Sequence, residues 1–311
     1  MRYQLSIFFS AFSLVFFIAA SAQTGHQFTI LSENDSYLSV NNDGYYTNGI
    51  KLAYQWRSTA IGKKNPERIN SISAGQNIYT SRFSGELKAE KLDRPIAGYL
   101  YGSYHQSLYN NKERLLKWGI TAGVIGPSSF GEDMQKQAHR FMQIYKPTYW
   151  ERQLPNAFGA NLDFAWSPQL GQSEKASKWD FKPLLSASAG SIFTNAGVGG
   201  ALVFGKFNKN SASAFWSNHR GQSKADKEFF AYLFPMIYLK GYDATIQGSL
   251  FKKEPTLIKG ELNPVFFQSR LGLTYATNKL AFGAAAVYEN KQSRTQLSPQ
   301  LYGSLQVSLM W

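Results

Sequence analysis

Hydrophobic and polar residues alternate with a period of two along much of this chain. In the last ten residues, YGSLQVSLMW, one row reads Leu305, Val307, Leu309, Trp311 and the other Ser304, Gln306, Ser308, Met310. Residues 50–56 set Ile50, Leu52, Tyr54 and Trp56 against Lys51, Ala53 and Gln55. Residues 116–124 and 158–166 repeat the pattern, with Leu116, Trp118, Ile120 in one and Phe158, Leu162, Phe164, Trp166 in the other. Such rows mark strands with one greasy face and one small or polar face. Twelve segments read this way: near 26–33, 45–57, 69–80, 95–108, 113–125 and 156–167, then 181–193, 196–206, 228–241, 262–276, 279–291 and 299–311. The spacing therefore predicts an all-β protein of one domain, with no internal repeat or low-complexity segment.

Composition points to the medium around those strands. Phe, Trp and Tyr make up 15% of residues while the mean hydropathy is only −0.32. A transmembrane antiparallel β-barrel has that balance, because its strands alternate lipid-facing and lumen-facing side chains between aromatic girdles. The terminal Trp311 agrees, since barrels of the outer membrane generally close on a strand ending in an aromatic that their assembly machinery reads. An even count puts both termini in the periplasm. The connections at 34–44, 81–94 and 126–155 then gather at the outer mouth, and 207–227, with His219, falls on the periplasmic side.

The N-terminus adds a compartment. Arg2, the apolar LSIFFSAFSLVFFIAA and the small-x-small Ala20–Ala22 predict a signal peptide over 1–22, leaving one barrel domain over 23–311. Without cysteine there is no disulfide framework and no thiolate metal site. The formal net charge of +13 suits phosphorylated lipid headgroups as well as an ordinary basic surface, and nucleic acid is not an expected partner of a secreted chain. A monomer is expected.

Three stretches carry candidate chemistry. In the 126–155 connection, GPSS offers turn and capping residues, Glu132 and Asp133 suit a helix start, and MQKQAHRFM continues without Gly or Pro. Gln135 and His139 fall at i, i+4 on one face of that short extracellular helix. An imidazole can take a proton from water, and an amide can orient that water or steady an oxyanion; a lone surface histidine is otherwise a solvated one. In ENDSYLSVNNDGYYTNG, Asn34, Asp35 and Thr47 lie at the ends of two adjacent strands, where oxygen ligands suit a hard cation and where a polar turn would read the same. In LDRPIAGYLYGS, Asp93 and Arg94 offer a rim ion pair before Pro95. No G-x-S-x-G elbow supports a serine triad.

Taken together, ENDSY…DGYYTNGI, NIYT…DRPIAGYLY, GVIGPSSFGEDMQKQAHRF and, more loosely, YWERQLPN resemble the outer-membrane lipid A 3′-O-deacylase (LpxR) family, in that family's order. The second half matches mainly in strand pattern and in SIFTNAG. The resemblance implies a twelve-stranded barrel and a carboxylic ester hydrolase that removes the 3′-linked acyloxyacyl chain of lipid A in the outer leaflet. It implies His139 as the base, Gln135 as its helical partner, Asn34 and Thr47 as polar members of the site, and Asp35 as the carboxylate tied to a Ca²⁺ requirement. The family's loop lysine after the third strand has no aligned counterpart here; Arg82, Lys88 and Lys91 are the nearby cations. The competing reading is a non-catalytic barrel, a pore or structural protein.

Overall fold

The computed structural model describes residues 25–38, 44–58, 67–82, 92–143, 146–170, 178–218, 227–252 and 260–311. The predicted signal segment, Lys88, Lys91 and His219 lie outside them. The described residues form twelve strands. The first six are β1 His26–Asn34, β2 Tyr45–Ser58, β3 Glu67–Thr80, β4 Ala97–Tyr109, β5 Leu115–Ile125 and β6 Ala157–Ser167. The second six are β7 Trp179–Gly190, β8 Phe193–Lys206, β9 Glu228–Asp243, β10 Val265–Ala276, β11 Leu280–Glu289 and β12 Gln300–Met310. Each strand pairs antiparallel with its sequence neighbour, and β12 pairs with β1 from Gln27↔Met310 to Asn34↔Gly303, so the sheet closes on itself. Closure leaves no unpaired strand edge in the bilayer, where an unsatisfied backbone group is costly.

The alternation read from the sequence decides which way each side chain points. On β6, Leu162 is 64% exposed while its neighbour Asn161 is 3% exposed. Large apolar side chains such as Ile72, Ile120, Leu233, Leu271 and Leu305 form the lipid-facing band. The other face turns into the lumen, where the Asp163 carboxylate accepts hydrogen bonds from Thr121 (2.6 Å) and Ser188 (2.7 Å) and meets His105 at 3.3 Å. Along the same wall, Arg270 on β10 pairs with Glu33 on β1 at 2.9 Å.

One boundary differs from expectation. The β7–β8 turn falls at Ser191–Ile192, a few residues before the gap at 194–195 between the strands read at 181–193 and 196–206. The cause lies on another strand. The Asn161 side-chain oxygen accepts from the backbone N–H groups of Ile192 and Phe193, each at 3.2 Å, which lets a buried isoleucine occupy a turn.

The long periplasmic connection also has a structural reason. Its described part, 207–218, enters the barrel at the end where Gly25 and Trp311 meet. Phe215 packs against the inward rings of Tyr232 and Phe234. Glu228 receives Asn208 N (2.6 Å), Ser213 Oγ (2.9 Å) and Ala214 N (2.7 Å), which fixes the segment inside.

At the opposite rim, connections from distant parts of the chain interlock. Asp93 accepts from Tyr45 Oη and Ser81 Oγ, both at 2.5 Å, and from Leu297 N at 3.1 Å. The expected Asp93–Arg94 pairing gives way to separate partners. Arg94 donates to Thr245 Oγ1 (3.0 Å) and stacks over Tyr79, because the two neighbours project to different sides of the rim. Burial pulls the Arg94 guanidinium below its ordinary proton affinity, and the nearby Asp243 carboxylate opposes that.

Candidate active site

The connection between β5 and β6 builds the platform of the site. Gly126, at φ 93°, allows a sharp exit from β5, and Pro127 opens a 3-10 turn, Pro127–Ser129. Helix α1, Gly131–Met142, follows with Glu132 and Asp133 in its first turn and Arg140 in its last, each charge sign matched to the helix dipole. Its start sits directly on the barrel wall. A Cβ built on Gly131 would lie 2.9 Å from Gly98 Cα, so only glycines allow this approach. Gln76 Nε2 donates to the Ser129 carbonyl at 2.5 Å and ties the same turn to β3.

Strand register shows on which side of the wall α1 rests. Ile120 is a lipid-facing residue and pairs with Tyr104, so counting by twos along β4 places Gly98 outward. Gly98 pairs with Ile78, Ile78 with Asn48, and Asn48 with Asn34. This outward row spans three strand spacings, roughly 14 Å. The helix therefore lies outside the barrel, against the extracellular ends of β3 and β4, with Asn34 on the same outer surface.

Gln135 and His139 point into that contact and away from solvent, at 2% and 5% exposure. The solvated-histidine reading of the sequence does not hold for this helix. Gln135 is fixed by the 3-10 turn Tyr149–Arg152. Its Oε1 accepts from Trp150 Nε1 at 2.8 Å, and its Nε2 donates to Tyr149 Oη at 2.9 Å. Trp150 is itself fully buried, so the amide is held by rigid neighbours. Sequence reasoning did not assign Tyr149 and Trp150; the YW pair in YWERQLPN was their available signal.

The second cluster occupies the start of the β1–β2 connection. Asn34 caps the 3-10 turn Asp35–Tyr37: its Oδ1 accepts from Ser36 N at 2.8 Å and from Ser36 Oγ. Asp35 is buried, and its Oδ2 accepts from Gly44 N at 2.9 Å. Thr47 sits at a β-bulge, where the β2–β3 register shifts between Tyr46 and Asn48. Bulges re-aim side chains. Tyr46 turns into the lumen to donate to Glu33 at 2.8 Å, whereas the Thr47 hydroxyl meets Thr80 Oγ1 at 2.7 Å. Thr80 shares the outward parity of Ile72 and Ile78, which puts Thr47 on the outer side as well.

Gln135, His139, Asn34 and Thr47 thus lie on the outer side of one rim, formed by the ends of β1–β4 and the helix resting on them, with Asp35 in the turn that follows Asn34. His105, on β4, faces the lumen with Asp163 and stands apart from this site. Of the candidate cations, Arg82 is exposed, and its backbone packs against Gly44, where a Cβ would come within 2.7 Å of Arg82 Cα. Around Asp35 the available donors are carboxylate, amide and hydroxyl oxygens, a set that suits a hard cation. Among the described residues no three His, Asp or Glu side chains converge as a metal cage, and Asp35 is a buried carboxylate of this corner.

Comparison with known proteins bears on the whole barrel. The family model described as outer membrane protein LpxR matches residues 5–311. A search of curated sequences finds no match. Among solved structures, LpxR from Salmonella typhimurium superposes with a TM-score of 0.76 at 20% identity, covering 92% of this chain and 100% of that one. The β domain of the Bordetella autotransporter BrkA aligns over 93% of this chain and 99% of its own at 8% identity, with a TM-score of 0.48. The translocator domain of NalP from Neisseria meningitidis covers 99% and 96% at 11% identity, with a TM-score of 0.42. The chain belongs to the outer membrane protein LpxR family and is a closed twelve-stranded barrel of the outer membrane.

Proposed function

We propose that this protein is an esterase of the outer leaflet that removes the 3′-linked acyloxyacyl chain of lipid A. The observation that carries the reading is the burial of His139 beside Gln135 on the lipid-facing side of the wall, at the extracellular rim. A base in that place meets a lipid ester near its headgroup without extracting the lipid from the membrane.

Each residue then has a chemical task. His139 takes a proton from water as the water oxygen attacks the ester carbonyl carbon. The tetrahedral intermediate collapses with loss of the sugar alkoxide, which recovers the proton from the imidazolium. Gln135 holds its orientation through Tyr149 and Trp150 and keeps the helix face in place. Asn34 uses its oxygen on Ser36, so its N–H₂ end is the one that can donate to an oxyanion. The Thr47 hydroxyl, braced by Thr80, offers a further donor. Asp35 would hold Ca²⁺, whose contribution is Lewis-acid polarisation of the ester carbonyl.

The pore reading finds less support, because the segment 207–218 occupies the periplasmic end of the lumen. Hydrolysis of lipid A in ¹⁸O-labelled water tests the esterase reading. One ¹⁸O atom should appear in the released acid and none in the sugar hydroxyl. Label in the sugar, or no released acid from folded protein, would refute it.

A further inference from the structure

The outward row that links α1 to Asn34 continues past β1. Asn34 pairs with Gly303, Gly303 with Ala286, and Ala286 with Leu271. One step lower, Leu305 pairs with Ala284, and Ala284 with Leu273. All six face lipid, by parity with the exposed Leu301, Phe282 and Tyr288. Three small residues, Gly303, Ala284 and Ala286, therefore form a floor between the taller Leu271, Leu273 and Leu305.

The 3-10 turn after β1 supplies the remaining wall. Tyr37 lies over Gly303, where a Cβ would come within 2.6 Å of Tyr37 Cβ, and its hydroxyl meets Ser32 Oγ at 2.7 Å. Leu38 stands beside it, and both side chains are nearly half exposed, at 46% and 45%. Together these residues enclose an open apolar groove of about 610 Å³. That volume falls within the range of about 300–1,000 Å³ typical of small-molecule sites. Tyr37 and Leu38 leave the same turn that carries Asp35, so the groove begins where the polar cluster ends.

We propose that this groove holds one hydrocarbon chain of the lipid whose ester lies at Asn34 and Asp35, and that it sets which chain lengths are accepted. The inference rests on the esterase reading for its substrate. The occupant follows from continuity: the groove opens sideways into the lipid-facing band of an outer-membrane barrel, where hydrocarbon is the contacting phase. Its lining is almost wholly apolar. Elsewhere on the same band, on β6, Phe158, Leu162 and Phe164 stand outward on successive like-facing positions, with only Ala160 among them. A lipid chain lying against Gly303 and Ala286 reaches closer to the backbone than it could there.

The test uses the full barrel in outer-membrane vesicles with lipid A bearing a diazirine at the end of an acyl chain. After irradiation, peptide mass spectrometry locates the adducts, in the wild type and in His139→Ala. Adducts should concentrate at least five-fold on residues 271–273 and 284–286 relative to 158–164, and Ala286→Leu should reduce that excess at least three-fold. A phosphatidylethanolamine probe with the same label should show no such excess. In the hydrolysis assay, Ala286→Leu should shift the acid products toward shorter chains at least three-fold. Even labelling around the barrel, equal labelling by both probes, or an unchanged chain-length profile in Ala286→Leu would each overturn the groove proposal. Concentrated adducts from lipid A with no hydrolysis by folded wild type would uphold the groove and remove the esterase reading instead.

Discussion

Trp150 donates its indole N–H to Gln135 across 2.8 Å, and this bond joins a turn after α1 to the buried face of the helix. Tyr149 reaches the same amide from the other side. Gln135 is thus a fixed point from which the rest of the helix, including His139 one turn on, takes its position. Trp150→Phe removes the indole donor and keeps most of the packing. One hydrogen bond of this kind contributes about 0.5–1.5 kcal/mol. Lipid A hydrolysis should fall by up to about tenfold in kcat with little change in KM. Wild-type rates in this variant would show that the bond does not position the site.

The seat of α1 on the wall gives a second prediction. Gly131→Ala places a methyl group 2.9 Å from both Gly98 Cα and the Trp150 ring, so the helix must shift outward. Misplacement of a reacting group by about 1 Å can cost about 100-fold in rate. The barrel strands are untouched, so the heat-modifiable gel migration of a folded barrel should persist while hydrolysis drops by about that factor. An active Gly131→Ala would mean that the helix position is not coupled to the chemistry.

Asp35 is the charged ligand proposed for calcium. Chelation of washed outer membranes should stop hydrolysis, and added Ca²⁺ should restore it. Asp35→Asn keeps the shape and an acceptor for Gly44 N while removing the charge. It should raise the Ca²⁺ concentration needed for half-activity at least about tenfold, the scale at which metal-site substitutions act. Full activity in excess chelator would take the metal out of the account.

The lumen yields a prediction separate from the ester chemistry. Glu228 holds three donors of the inserted segment, and Glu228→Ala leaves them without that acceptor at about 1–3 kcal/mol each. In planar bilayers the wild type should pass little current, and Glu228→Ala should show flickering conductance. A large steady conductance in the wild type would revive the pore reading.

The barrel was legible in the sequence because period-two alternation is a local property. Ile50, Leu52 and Trp118 announce their faces through their immediate neighbours. The Gln135–His139 pairing was legible for the same reason, through helical spacing. Their burial was not, because it depends on Tyr149 and Trp150 and on two glycines from different elements, Gly98 on β4 and Gly131 at the start of α1. The insertion of 207–218 was equally hidden: FNKNSASAFW has no periodicity, and Glu113, the partner of Ser211, lies 98 residues away in sequence. The groove emerges only once β10, β11 and β12 are in register, since Gly303, Ala284 and Ala286 are unremarkable in their own segments.

The most direct test of the central claim compares lipid A from cells carrying the wild-type protein and His139→Ala in their outer membranes. Mass spectra should show loss of the 3′-linked acyloxyacyl chain with the wild type and intact lipid A with the variant, at equal levels of folded barrel. Intact lipid A in both, or the same loss in both, would contradict the account.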